Sequence, residues 1–373
     1  MSAEALSAAR RIVVKTGSSL VSDGSAPRTG WLAALAGDIA GLRASGKEVI
    51  LVSSGAVALG RGALGGGKPK RLEDKQAAAA FGQPLLIRAL ETAFSAHEIR
   101  VAQSLLTLED TEQRRRWLNA RTTLETILAA GGLPVINEND TVATDEIRYG
   151  DNDRLAARVA QMMTADLLVL LSDVDGLYTA DPRKDAGARH IAELEGLDEA
   201  HMAMAGDPNA EAGVGSGGMV TKLMAAQIAE SAGCATLIAD GRREHPIAAL
   251  QDGARATLIR ARTTPARARE AWLQSHLKPE GHIRVDAGAA RALSKGASLL
   301  PVGVVGVDGE FDRGAAVGIC LNTGDLIGFG VSAYSARDIA RIAGKQSDAV
   351  EALLGWRGRP AVIHRNDLVL RSA

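Results

Sequence analysis

The chain has 373 residues, enough for two domains, and 46% of them are hydrophobic, so it can bury a sizeable core. Its formal net charge is −1, which supplies no global attraction to nucleic acid or to an anionic membrane. Cys234 and Cys320 stand far apart and form no CxxC or Cys/His pattern, which speaks against a disulfide framework or structural zinc and for a reducing compartment. Residues 1–11 lack the apolar centre of a signal peptide, and no apolar run approaches the roughly 18 residues of a membrane span. The expectation is a cytoplasmic protein that does not enter a membrane.

Aromatics make up only 3% of the chain, so the core must be built from Ala, Val, Leu and Ile. Up to about residue 240, short branched runs alternate with Ala-rich stretches of helical character. The runs are Ile12-Val13-Val14, Val49-Ile50-Leu51-Val52, Pro134-Val135-Ile136, residues 167–171 and Thr236-Leu237-Ile238. That alternation predicts an α/β fold: an open, mostly parallel sheet with helices on both faces. Residues 242–269 are rich in arginine, carry Pro246 and Pro265, and read as a crossover into a second domain. From Gly281 the apolar runs shorten and glycine punctuates them, with Asp308-Gly309 as a hairpin signal, which predicts a small C-terminal β-barrel. The expected domains are residues 1–262, a linker at 263–280, and residues 281–373.

In an open α/β sheet, ligands gather at the carboxyl ends of the strands. Six segments there, or leading into the next helix, carry unusual polarity. Lys15-Thr16-Gly17-Ser18-Ser19 offers a lysine and free backbone N–H groups, which suit phosphate, although a plain strand-to-helix turn would read the same way. Ser53-Ser54-Gly55-Ala56 lets a ligand approach the backbone, or places an N-cap serine on the next helix. Asn137-Glu138-Asn139-Asp140 and Gly150-Asp151-Asn152-Asp153 together suggest a site that holds an ammonium group and organises Mg²⁺ or lysines. The long loop from Ser172 and Asp173 to Pro182 is a natural place for a nucleotide. Glycine-rich residues 213–218 open a helix with Lys222 in its first turn, in the form of a phosphate cradle.

Two motif matches are rejected. Gly213, Gly215 and Gly218 satisfy GxGxxG, but no strand precedes them, so a dinucleotide-binding reading has no support. Residues 62–68 fit the start of a Walker A loop, but Pro69 replaces the Mg²⁺-binding hydroxyl and no strand leads in. No histidine shares a turn with the serines, which disfavours a serine hydrolase.

Taken together and in order, these motifs, with Gly176-Leu177-Tyr178-Thr179-Ala180-Asp181-Pro182 and Gly217-Gly218-Met219-Val220-Thr221-Lys222, resemble the amino-acid kinase family. Within it they are similar to the branch whose phosphate acceptor is the side-chain carboxylate of free glutamate, the first step of proline biosynthesis. The tail, with Ser298-Leu299-Leu300-Pro301 and Arg313-Gly314, resembles a PUA domain. The resemblance implies catalytic roles for Lys15, Lys222 and Asp153, with the lysines on the transferring phosphate and Asp153 positioning both. It implies ATP contacts from Lys15, Ser172, Asp173, Ser216, Gly217, Gly218, Met219, Val220, Thr221 and Lys222, and glutamate contacts from Ser54, Asp140 and Asn152. It implies Mg²⁺ arriving with ATP, no assigned protein ligand to that metal, a homo-oligomer (dimer or tetramer), and feedback inhibition by proline at the glutamate site. Ser216 stands where threonine is common in the family, and either residue supplies a hydroxyl.

Two rivals follow. Another amino-acid kinase, acting on aspartate, acetylglutamate or UMP, would share the ATP loops but differ at residues 137–140 and 150–153. An RNA-binding PUA protein would need a basic, aromatic tail, whereas residues 281–373 are nearly charge-balanced and poor in aromatics.

Overall fold

The computed structural model describes residues 1–67, 69–142, 151–205, 218–268, 279–356 and 358–371. The chain divides into two compact units, Met1–Pro265 and Ala266–Ala373.

The first unit is built on an eight-stranded sheet. Its strands are β1 (Arg11–Thr16), β2 (Glu48–Ser53), β3 (Val101–Leu106), β4 (Leu133–Glu138), β5 (Leu167–Ser172), β6 (Glu193–Leu194), β7 (Ala235–Asp240) and β8 (Ala256–Ile259), ordered β6-β8-β7-β5-β1-β2-β4-β3. Every pair is parallel except β7 with β8. The order reverses between β1 and its neighbours β5 and β2, which puts the carboxyl end of β1 at the centre of the edge where ligands bind.

Strand periodicity decides which side chain goes to which face. Ile12 and Val14 join the core on one side, with Val49, Leu51, Leu167 and Val169. That layer is completed by Trp31, Leu35 and Ile39 of α1 (Thr29–Ala44) and by Leu86, Leu90 and Phe94 of α3 (Leu72–Ser95). Val13, Ile50, Val52, Leu168 and Leu170 point the other way. They meet Leu124 of α4 (Arg114–Ala129), Leu155, Val159 and Met162 of α5 (Asp151–Met163) and Leu223 and Ala226 of α6 (Met219–Ser231). A strand covered on both faces has no polar side to show, which is why β1, β4 and β5 read as unbroken apolar runs.

Three strands of this sheet escaped the sequence reading, the two-residue β6 among them. β3 lies at the edge of the sheet and carries Gln103 and Ser104, so it lacks the apolar run of a central strand. β8 lies inside residues 242–269, the stretch read as a crossover. Its four buried residues, Ala-Thr-Leu-Ile, are too short a signal among the surrounding arginines, yet they form an antiparallel ladder on β7.

Helix α2 (Ala56–Gly60) crosses α3 with backbone against backbone. A Cβ on Gly60 would lie 1.8 Å from the Ala78 carbonyl oxygen, and one on Gly82 would lie 1.8 Å from that of Ala56. Only glycine fits at either position. This crossing brings the segment after Gly82 to the ends of β2 and β4.

The second unit holds β9 (Gly281–Val285), β10 (Val304–Asp308), β11 (Ala316–Leu321), β12 (Leu326–Val331) and β13 (Leu368–Leu370), ordered β10-β9-β11-β12-β13. Its core joins Ile283, Val317 and Ile319 to Tyr334, Ile339 and Val362. A small β-rich unit is thus present, but Asp308-Gly309 is not a hairpin between paired strands. Gly309 does take φ 94°, yet β11 pairs parallel with β9 rather than with β10. Each unit contains one free, buried cysteine: Cys234 just before β7 and Cys320 in β11. Burial pushes both thiols up from their ordinary range. No helix among the described residues is long and apolar enough to cross a membrane.

Candidate active site

Lys15 is the penultimate residue of β1, in register with Val52 of β2 and Leu170 of β5, and its neighbours leave it only 8% exposed. An ammonium group that deep needs a counter-charge. It finds Asp153, which the first turn of α5 brings up from below the strand ends. The Lys15 Nζ to Asp153 Oδ1 distance is 2.6 Å. Lys222, in the first turn of α6, approaches the other oxygen at 3.3 Å, and the Thr221 hydroxyl donates to that same oxygen at 3.1 Å. Burial works against the charge on Asp153, but the two ammonium groups outweigh it and hold the carboxyl below its usual range.

The balance of this cluster is its chemistry. Two buried cations meet at one buried anion, where the medium screens charge poorly. Buried ion pairs contribute little net stability, because desolvation offsets their attraction. Two ammonium groups fixed at one point are instead suited to receiving an anion. Helix α6 adds to it, since Gly218 is its N-cap and no side chain among the described residues caps its first N–H groups. Met219, Val220 and Thr221 are half-buried along that first turn. Ser216 and Gly217, expected in the same loop, lie outside the described residues.

On the β5 side, Ser172 closes the strand and its hydroxyl donates to Asp173 Oδ1 at 3.0 Å. Ser172 is buried and Asp173 exposed. The loop beyond turns at Gly176, whose φ of 143° and contact with Thr257 exclude any larger residue.

A second cluster lies on the β2 and β4 side. Asn152 Nδ2 donates to Ser54 Oγ at 2.7 Å and approaches the Ser53 carbonyl at 3.3 Å and Asn137 Oδ1 at 3.0 Å. Ser54 is not an N-cap: that position belongs to Gly55, at φ 112°. Asp140, two residues past the end of β4, is half-buried, and desolvation raises its carboxyl to about 6. A carboxylate that no described cation pairs with, in such surroundings, suits an incoming ammonium group.

Of the residues read from the sequence, Lys15, Asp153, Thr221 and Lys222 meet in one cluster and Ser54 and Asn152 in another, with Ser172 and Asp173 on the adjoining strand. Asn137 and Gln83 were not singled out as site residues. Asn137 Nδ2 donates to Gln83 Oε1 of α3 at 2.8 Å, a contact 54 residues apart that no local motif signals. Among the described residues, no group of His, Cys, Asp and Glu is arranged to hold a metal ion.

Two family models match the chain: the amino acid kinase family over residues 10–240 and the PUA domain over residues 281–354. A glutamate 5-kinase of Paramagnetospirillum magneticum is 56% identical over 98% of this chain and 99% of its own. One of Caulobacter vibrioides is 57% identical, covering 98% of each. Among solved structures, a UMP kinase from Bacillus anthracis aligns over 68% of this chain and 96% of its own, with TM-score 0.46 and 16% identity.

Proposed function

The chain belongs to the amino acid kinase family, and from that premise we propose that it transfers the γ-phosphate of ATP to the side-chain carboxylate of L-glutamate, giving L-glutamyl 5-phosphate and ADP. The observation that carries this reading is the buried Lys15–Asp153–Lys222 cluster at the switch point of the sheet, in a chain whose full-length relatives are named glutamate 5-kinases.

The chemistry needs little from the protein beyond charge and alignment. The side-chain carboxyl of glutamate has a pKa of about 4.3, so the nucleophile is already ionised at pH 7 and no general base is required. What opposes reaction is the repulsion between that carboxylate and the phosphates. Lys15 and Lys222 would hold the transferring phosphoryl group from two sides, and Asp153 would fix both ammonium groups in place before ATP arrives. The carboxylate oxygen bonds to the γ-phosphorus as the bond to the β,γ-bridging oxygen breaks, and ADP leaves. Ser172, Asp173 and the first turn of α6 from Gly218 to Lys222 would hold the nucleotide. Ser54, Asp140 and Asn152 would hold glutamate, with Asp140 facing its ammonium group.

Mg²⁺ fits this site as a partner of the nucleotide. Asp153 is occupied by two lysines, which leaves the phosphate oxygens as the natural donors. When bound with ATP, the ion would neutralise charge on the β- and γ-phosphates. The reading assigns catalysis to residues 1–262 and treats 263–280 as a linker to 281–373. It also carries homo-oligomerisation, a cytoplasmic setting and inhibition by proline competing for the glutamate site.

The test is ADP release with ATP, Mg²⁺ and, in turn, glutamate, aspartate, acetylglutamate and UMP, with hydroxylamine present to trap an acyl phosphate. Hydroxamate formed only with glutamate supports the reading. Turnover with another acceptor overturns the assignment of the substrate site.

A further inference from the structure

The side-chain amides between α3 and α5 form a chain whose polarity is set at Asn137, by a backbone N–H on one side and by Gln83 on the other. The N–H of Glu138 donates to Asn137 Oδ1 at 2.9 Å, which favours the amide with its oxygen on that side and its nitrogen on the other. That nitrogen donates to Gln83 Oε1 at 2.8 Å, and this acceptor is what makes the orientation the fully satisfied one. A reversed Gln83 would set two donors face to face. On the near side, Asn137 Oδ1 and the Ser53 carbonyl both require a donor from Asn152. Asn152 Nδ2 therefore faces them and Ser54 Oγ, while Asn152 Oδ1 is left buried without a partner among the described residues. The outcome is a fixed pattern: an acceptor at Asn152 Oδ1, and a hydroxyl at Ser54 whose lone pair is engaged and whose proton is free to be donated.

We propose that Gln83, on the helix α3 and outside every strand-end motif, is a positioning residue for the amino-acid acceptor. It holds the Asn137 amide in the one orientation that turns Asn152 Oδ1 toward the substrate ammonium group. Gln83 is placed for this by the Gly60–Gly82 crossing, since the residue immediately after Gly82 is the one that reaches Asn137. Without an acceptor at position 83, Asn137 Nδ2 is left unsatisfied and its amide is held by Glu138 alone. The relay then no longer selects acceptor over donor where the ammonium binds. This inference rests on the glutamate-site reading above.

The experiment compares the parent enzyme with Gln83→Met, which keeps length but removes the acceptor, and Gln83→Glu, which restores an acceptor oxygen. Gln83→Met should raise KM for glutamate about tenfold, the loss of one well-placed hydrogen bond. KM for ATP should stay within about twofold and kcat within about threefold. The inhibition constant of glutarate, which lacks the ammonium group, should not move. Gln83→Glu should bring KM for glutamate back to within about threefold of the parent. A folded Gln83→Met with parental KM overturns the proposal, as does a Glu variant no better than Met, or a glutarate constant that shifts as far as the glutamate KM. If the Met variant does not fold, Gln83→Asn, which keeps the amide but shortens its reach, is read in the same way. Lack of glutamate turnover by the parent enzyme would instead overturn the underlying reading of the site.

Discussion

Asp153 holds Lys15 at 2.6 Å through one carboxylate oxygen and gives the other to Thr221 and Lys222, so one side chain from α5 joins the ends of β1 and α6. Removing a lysine and removing the aspartate unbalance this cluster in opposite directions, and the expected effects differ accordingly.

Lys15→Ala and Lys222→Ala each leave the buried Asp153 with a cation beside it, so the fold should survive. Turnover should fall at least about a hundredfold, the roughly 3 kcal/mol of a single electrostatic stabiliser. Steady-state kinetics alongside a thermal melt checks this, and a folded variant with near-parental kcat would reject the phosphate assignment.

Asp153→Asn leaves two buried ammonium groups facing each other. The variant should lose about 3 kcal/mol of stability in urea titration, as when a buried pair loses one partner. ATP or inorganic phosphate should recover more stability in this variant than in the parent, because either supplies the missing negative charge. In the parent, the depressed carboxyl gives a contribution fully present above the ordinary carboxylate range and lost only as pH falls through its own lower value. Asp153 therefore adds no pH dependence near neutrality.

Asp140 does. Its carboxyl is raised to about 6, so below that pH it is protonated in the free enzyme and cannot pair with an ammonium group. KM for glutamate should rise as pH drops below about 6, approaching tenfold per unit, while KM for ATP stays level. Asp140→Asn should abolish this limb and hold KM at every pH near the raised value of the protonated parent. The sign for unliganded stability is opposite: the raised pKa means the folded state is penalised once the group ionises. Asp140→Asn should thus stabilise the free protein above pH 6, by roughly 1–3 kcal/mol.

Gly60→Ala and Gly82→Ala would each drive a methyl group into a backbone carbonyl. Neither helix has a flexible side chain at that point to yield. A loss of about 3 kcal/mol or more is expected on chemical denaturation, at the upper end of overpacking effects. A change under about 1 kcal/mol would show that the two helices can separate freely.

How much of this was legible in the sequence depended on how local each signal is. β1, β4 and β5 are buried on both faces, so their apolar runs announce them. β3 and β8 lie outside that central group and their signals are diluted by polar residues or by shortness. The lysines and acids of the candidate site sit at strand ends and helix starts, where a polar residue after an apolar run is conspicuous. Gln83 lies in the middle of an Ala-rich helix, and nothing within its own segment distinguishes it from a solvated glutamine. Its role depends on Asn137, which only the helix crossing brings within reach. Asp308-Gly309 shows the opposite error: the turn chemistry was read correctly and the pairing was not, because β9 lies closer to β11 than β10 does in the order of the sheet.

The placement of the two cysteines gives the molecule an internal timer and its reference. Cys234 sits in the core of the first unit, whereas Cys320 lies in the second beside a surface pocket lined by His282, Arg284 and Asp308. Alkylation of Cys234 therefore waits for its sheet to open, so a mass-resolved labelling time course reads that opening rate against Cys320 in unmodified protein. Saturating ATP and glutamate should slow the modification of Cys234. Whether Cys320 slows in step reports directly whether the tail feels what the nucleotide and acceptor do to the rest of the chain.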